Sequence, residues 1–259
     1  MISLRGRRAL VTGGSRGIGA ATALLLAECG ADVGIGYRSR SQSAEEVLRA
    51  VVERGVRGFA CAADVARPEG ARSLFERAER EFGGVDIFVG NAGIWPPDPV
   101  ALAEMPDEQW RRTMAENLDS LFYTTREAAR AIGSGPPGAG GAGGRIVLVS
   151  STAGQRGEAM HADYAATKGA LISFVKSLAV ELAPRDVTVN CVAPGWVDTE
   201  MVAPALGPEA RARAEAGIPL GRIATPRDIA GPIAFLCSDL ARHVTGEVLN
   251  VNGGSVLCG

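Results

Sequence analysis

At 259 residues the chain is long enough to bury a sizeable core in one large domain and short for two independent ones. Its composition, 46% hydrophobic and 22% charged, is that of an ordinary globular protein, and a formal net charge of −2 excludes nucleic acid or an anionic membrane as a bulk electrostatic partner. Five scattered cysteines, Cys29, Cys61, Cys191, Cys237 and Cys258, with no Cys-x-x-Cys spacing predict a reduced, cytoplasmic chain without a metal site, and no apolar run reaches the length of a membrane span.

A strand is predicted over Arg8–Thr12, almost at the start, and no signal peptide is expected before it. It runs into Thr12-Gly13-Gly14-Ser15-Arg16-Gly17-Ile18-Gly19 and then an apolar helical pattern from Ala20 to Cys29. Strand, glycine turn and helix form the context in which backbone can approach a diphosphate, whose charge the free N–H groups of the helix start would stabilise. A second strand, Asp32–Tyr37, ends in Arg38-Ser39 where a dinucleotide fold would normally carry a carboxylate for the ribose hydroxyls. Arg38 and Ser39, with Arg16 as a second cation, suit a 2′-phosphate, so NADP(H) is expected in preference to NAD(H).

Further along, a helix over Ser43–Arg54, a strand over Gly58–Ala62 closed by Asp64-Val65, a helix over Pro68–Phe82 and a strand over Val85–Gly90 ending in Asn91-Ala92-Gly93 continue the alternation. Such alternation predicts an α/β fold, a single Rossmann-type domain over 1–259 with a doubly wound parallel sheet of about seven strands and helices on both faces. Ligands bind such sheets at the carboxyl ends of the strands, where Gly13, Arg38, Asp64 and Asn91 all fall. A stiff loop, Trp95 to Pro99, leads to a long predicted helix, Asp107–Ile132, with Asn117 near its middle. The glycine-rich run 133–144 is expected to be a flexible surface loop at the opposite end of the sheet.

Arg145–Ser150 reads as the fifth strand, followed by Ser151 and then a helix from Tyr164 to Leu182. Tyr164 and Lys168 lie four residues apart and so share a helix face. A free tyrosine titrates near ~10, and a neighbouring cation favours the phenolate, so Tyr164 is a candidate acid/base and Lys168 the group that lowers its pKa. Lys168 and Lys176 are the only lysines among 27 basic residues. The sixth strand, Thr188–Ala193, ends in Pro194-Gly195; Glu200–Gly217 reads as a helical flap, Pro226–Cys237 as a helix and Glu247–Val251 as the last strand.

Together the TGGSRGIG loop at 12–19, Asp64-Val65, NAG at 91–93, Asn117, Ser151, YAATK at 164–168, PG at 194–195 and TGEVLNVNGG at 245–254 resemble the short-chain dehydrogenase/reductase family over essentially the whole chain. The subgroup that includes 3-oxoacyl-(acyl-carrier-protein) reductases is the most similar. The resemblance implies that Tyr164 is the general acid toward a substrate carbonyl, that Lys168 lowers its pKa and holds the nicotinamide ribose, that Ser151 bonds the substrate oxygen, and that Asn117 serves a proton relay. It also implies cofactor contacts at Gly13, Ser15, Gly17, Ile18 and Gly19, at Asp64, Val65, Asn91, Ala92 and Gly93, at Tyr164 and Lys168, and at Pro194, Gly195, Val197 and Thr199. Homotetramers are usual in the family, built on the helices of Asn117 and Tyr164 and on the last strand, with Leu121, Phe122, Phe174 and Leu178 as apolar candidates for that face. Carrier-protein members commonly place basic residues near the start of the fifth strand and on the Tyr164 helix; here the glycine run with Arg145 behind it, and Val180, stand there.

Trp95, Gln155, His161, Trp196 and Met201 flank the site in the chain and are the candidate substrate pocket. The activity implied is NADPH-dependent reduction of a ketone, either a 3-oxoacyl thioester or a free or polyketide-like ketone, to a secondary alcohol. The competing readings are an alcohol, polyol or steroid dehydrogenase working oxidatively, and a catalytically silent NADP-binding regulatory protein.

Overall fold

Short runs of Val, Ile, Leu and Ala, too short for buried helices and bounded by Gly, Asp or Asn, form the strands of one sheet. The structure is a computed structural model that describes residues 2–132 and 143–257. Its strands are β1 (Arg8–Thr12), β2 (Asp32–Tyr37), β3 (Gly58–Ala62), β4 (Ile87–Gly90), β5 (Arg145–Val149), β6 (Thr188–Pro194) and β7 (Val248–Val251). All pair in parallel, in the order β3-β2-β1-β4-β5-β6-β7.

The central strands are buried from end to end because helices cover both faces. On one face, α1 (Gly17–Glu28), α2 (Ser41–Val52) and α9 (Pro226–Leu236) pack Leu26, Val51, Ile229 and Ile233 over Val11, Val33 and Val89. On the other, α3 (Pro68–Phe82), α5 (Ser120–Ala131) and α7 (Ala162–Leu182) pack Leu74, Leu121, Leu171 and Val175 over Leu10, Phe88 and Leu148. Strand order reverses between β1 and β4, which opens a crevice at their carboxyl ends. The other end of the sheet is tied by Arg8, which donates from Nε and Nη2 to the carboxylate of Asp86 at 2.8 and 2.7 Å.

The expected long helix over Asp107–Ile132 is not one α-helix. It runs as α4 (Asp107–Met114), a π-helical turn over Ala115–Asp119, and α5, so Asn117 sits in the widened turn. A one-turn helix that the sequence did not announce, α6 (Thr152–Arg156), follows β5, and α7 begins two residues before Tyr164. The helix expected over Ser43–Arg54 is shifted to Ser41–Val52, and β4 starts at Ile87 rather than Val85. In the flap, Pro204 and the Gly207-Pro208 pair divide the expected helix into a 3-10 turn, Ala203–Ala205, and α8 (Pro208–Ala216). The predicted loop over 133–144 lies, except for Gly143 and Gly144, outside the described residues.

Candidate active site

The crevice is built first by the glycine loop. Gly13 and Gly17 hold φ of +65° and +54°, and a Cβ on Gly19 would meet the Gly13 carbonyl and sit 2.6 Å from Asn91 Nδ2. Asn91 braces the loop: its Nδ2 donates to the carbonyls of Thr12 and Gly13 at 3.0 and 3.3 Å, while its N–H and that of Ala92 donate to Thr12 Oγ1. Helix α1 starts with neither a side-chain cap nor an acidic residue in its first turn, so its N–H groups and dipole remain available to an anion.

The cavity along this loop is walled by Gly13, Ser15, Arg16, Gly17 and Ile18, by Arg38, Ser39 and Arg40 beyond β2, by Asp64 and Val65, and by Asn91, Ala92 and Gly93. Gly19 does not line it and instead permits the close packing beneath. Backbone curvature, an open helix start and a cluster of arginines fit a dinucleotide with an added phosphate. Arg38 pairs with Glu116, and Arg16 and Arg40 both pair with Glu200; Arg40, Glu116 and Glu200 were not singled out in the sequence. The only signal was the Arg38-Ser39-Arg40 repeat, since the carboxylates come from remote segments.

A second cavity joins the first around Ile18, Asn91, Gly93, Thr199 and Met201 and holds Ser151, Tyr164, Lys168, Pro194, Gly195, Trp196 and Val197. Ser151 follows β5 in extended backbone and caps α6, accepting the Ala153 N–H at 3.1 Å. Ser151 and Tyr164 line this cavity together, and the Ser151 side chain acts to lower the Tyr164 pKa. What brings the two to one cavity is the contact of α6 with α7, where Gly154 lies against the backbone of Lys168 so closely that a Cβ would come 2.6 Å from the Lys168 oxygen. Ser150 Oγ donates to that same oxygen at 2.8 Å.

Lys168 is buried, and its Nζ donates to the Val149 carbonyl at 2.8 Å while lying 5.7 Å from the centre of the Tyr164 ring. Burial lowers Lys168 from 10.5 to about 8. Burial pushes Tyr164 from 10.0 up to about 12, opposed by the Ser151 side chain. The expectation that Lys168 brings Tyr164 down is therefore corrected: burial is the largest influence on the phenol, and Lys168 is not among the groups that shift it. Asn117 is fully buried, its Oδ1 accepting from the Ile94 N–H at 2.7 Å and its Nδ2 donating to the Ile94 carbonyl at 2.9 Å. The neighbouring π turn is a common accompaniment of functional sites.

Of the five expected pocket residues, Trp95, Trp196 and Met201 line the cavity and two do not. Gln155 donates to Asn250 Oδ1 at 2.6 Å, away from the cavity. His161 is buried behind Trp95, its ring stacked on the indole at 4.8 Å and 17°. Trp95 is further held by Nε1–H donation to Glu158 Oε1 at 3.2 Å and by an edge contact with Trp196. Arg156, Glu158, Arg213 and Ile218 complete the wall, and nothing in their local sequence distinguished them. Asp163, buried beside Tyr164, was also missed; its Oδ2 accepts from Thr113 Oγ1 at 2.7 Å and bolts α4 to α7. Among the described residues no group of three His, Cys, Asp or Glu side chains is placed to hold a metal, and no helix is long and apolar enough to cross a membrane.

A family model described as enoyl-(acyl carrier protein) reductase matches residues 13–255. The chain belongs to the short-chain dehydrogenase/reductase family. It is 43% identical to a 3-oxoacyl-(acyl-carrier-protein) reductase of Vibrio cholerae over 98% of both chains. The corresponding protein of Escherichia coli is 41% identical, also over 98% of each. A short-chain dehydrogenase of Burkholderia cenocepacia, solved in complex with NADP, superposes with a TM-score of 0.89 at 38% identity, covering 97% of this chain and 98% of that one. The family fold is the Rossmann-type doubly wound sheet described above, and the chain is a nicotinamide-dependent oxidoreductase of carbonyl and hydroxyl groups.

Proposed function

We propose that the protein is an NADPH-dependent ketoreductase, and that Ser151, Tyr164, Lys168 and Asn117 form its catalytic set. The observation that carries the reading is that Ser151, Tyr164 and the buried Lys168 line one cavity where the glycine-loop cleft meets the tryptophan-lined one. Gly13, Ser15, Gly17 and Ile18 would hold the diphosphate, Arg16, Arg38, Ser39 and Arg40 the 2′-phosphate, and Pro194, Gly195, Val197 and Thr199 the nicotinamide end. When bound, the cofactor supplies hydride to the carbonyl carbon.

Charge then develops on the carbonyl oxygen, and two hydroxyls aimed at that oxygen stabilise the transition state more than the ground state. Tyr164 gives its proton to the oxygen, and Ser151 donates a hydrogen bond to it. Tyr164, raised by burial, is a neutral phenol at neutral pH and so can start as a donor. Lys168, at about 8, is largely cationic there and would hold the nicotinamide ribose beside Tyr164.

A free ketone suits the surroundings better than a carrier-bound thioester. Val180 is 78% exposed where the carrier-protein members place a base, and Arg145 is buried. The stacked Trp95 and His161 and the edge of Trp196 present a stiff aromatic wall to the substrate. A homotetramer is proposed with this reading, since Trp110 and Phe122 on α4 and α5 and Val180 on α7 leave exposed apolar surface on the elements concerned.

The test is turnover of NADPH against a panel of aromatic, cyclic and aliphatic ketones and 3-oxoacyl thioesters, alongside Tyr164→Phe. Tyr164→Phe should lose about 10²–10⁴ in kcat while still binding NADPH. No turnover by the wild type on any member, or full activity of the variant, removes the catalytic assignment and leaves the silent binder.

A further inference from the structure

Three arginines converge where the cavity passes the carboxyl end of β2, and each holds a carboxylate. Arg38 is paired with Glu116, the residue before Asn117 in the π turn. Arg16 Nη1 and Arg40 Nη1 share one oxygen, Oε2 of Glu200, at 3.2 and 2.7 Å. Glu200 is the first residue of the flap and is bracketed by cavity-lining residues: Thr199 and Met201 face both cavities, and Val202 faces the substrate side.

A carboxylate caught between two guanidinium groups marks a position where an anion is favoured. The Glu200 side chain is more than half exposed, so little packing holds it there and exchange of its partners is inexpensive. A phosphate monoester carries nearly two charges and three strong acceptor oxygens, enough to engage Arg16 and Arg40 separately rather than through one shared oxygen.

We infer that Glu200 is a specificity-determining residue that competes internally with the cofactor's 2′-phosphate. The phosphate takes Arg16 and Arg40, Glu200 is released, and the segment from Thr199 to Val202 becomes free to readjust the wall of the substrate cavity. A cofactor without the 2′-phosphate leaves the Glu200 contacts in place. The inference rests on the NADP reading and adds to it a built-in opponent that links cofactor choice to the flap.

The experiment uses adenosine 2′,5′-bisphosphate and adenosine 5′-monophosphate as probes, with binding by calorimetry and amide hydrogen exchange across 200–217, on the wild type and on Glu200→Gln. The variant should bind the bisphosphate about two- to fivefold more tightly than the wild type, the scale of an exposed ion pair, with monophosphate affinity unchanged. In the wild type the bisphosphate, and not the monophosphate, should speed exchange in the flap; in Glu200→Gln exchange should already be faster without nucleotide. Unchanged or weaker bisphosphate binding by the variant overturns the competition, and flap exchange indifferent to the 2′-phosphate overturns the link. Equal affinity of the wild type for both nucleotides overturns the NADP reading itself and the inference with it, whereas a clear wild-type preference with an indifferent variant sinks the inference alone.

Discussion

Lys168 is held in the fold against its own charge. Its folded pKa of about 8 lies below the ordinary 10.5, so between those values the unfolded chain binds the extra proton and the folded chain does not. Stability from this group is therefore lowest below pH 8 and rises as pH climbs from 8 to 10.5. Over that window the wild type should gain up to about 3 kcal/mol relative to Lys168→Met, at about 1.4 kcal/mol for each pH unit crossed. Denaturant melts of both proteins at pH 7 and pH 10 measure it, and a stability difference independent of pH would refute the buried charge. Tyr164 and Lys168 were legible as a pair because helical spacing alone places them together. Glu200 was not legible as a partner of Arg16 or Arg40, from which 184 and 160 residues separate it. Nor does local sequence distinguish a buried His161 stacked behind an indole from one facing the substrate.

Between elements, the position of the proposed proton donor is set by two helices touching through backbone. Gly154 of α6 has no room for a side chain against Lys168 of α7. Gly154→Ala should force the helices apart, with a stability loss of about 1–3 kcal/mol typical of overpacking and a drop in kcat larger than the change in cofactor affinity. Thermal melts with steady-state kinetics check both parts; a variant as stable and as active as the wild type would mean the contact relaxes freely. Apolar periodicity located the helices at this scale but not their interruptions. Asp107 to Ile132 reads as one continuous helix because no glycine or proline marks the π turn inside it. Leu121 and Phe122, equal candidates for an outer face, separate in the fold: Leu121 is core, and Phe122 lies outside beneath the Arg126 guanidinium.

At the scale of the whole molecule, alternation of strand and helix carried the topology, because parallel strands need crossovers and crossovers cover both faces. Strand order within the sheet followed from no single segment; the reversal between β1 and β4 is a property of the assembled layers. The same layered burial shapes stability against pH. Asp86, bonded to Arg8, and Glu28, bonded to Arg227 and Arg54, have depressed pKa values. Each contributes stability above the ordinary carboxylate pKa that is lost as pH falls through the folded value. On the alkaline side burial pushes Cys191 and Cys237 from 9.0 up to about 12, and Tyr164 is raised likewise. A raised pKa gives stability that is complete below the unfolded value and is lost as pH climbs through the folded one, so the cysteines begin to destabilise the chain above pH 9. Lys168 opposes them only up to 10.5, which leaves the cysteines and Tyr164 in control beyond it. The melting temperature should thus hold level from about pH 5 to 8, climb with Lys168 to a maximum near pH 9, and fall on both sides. Cys191→Ala should make the alkaline limb shallower, by about 1.4 kcal/mol for each pH unit above 9, while leaving the acid limb in place. An alkaline limb identical in Cys191→Ala and wild type would show that the thiol reaches solvent or ionises before the fold opens.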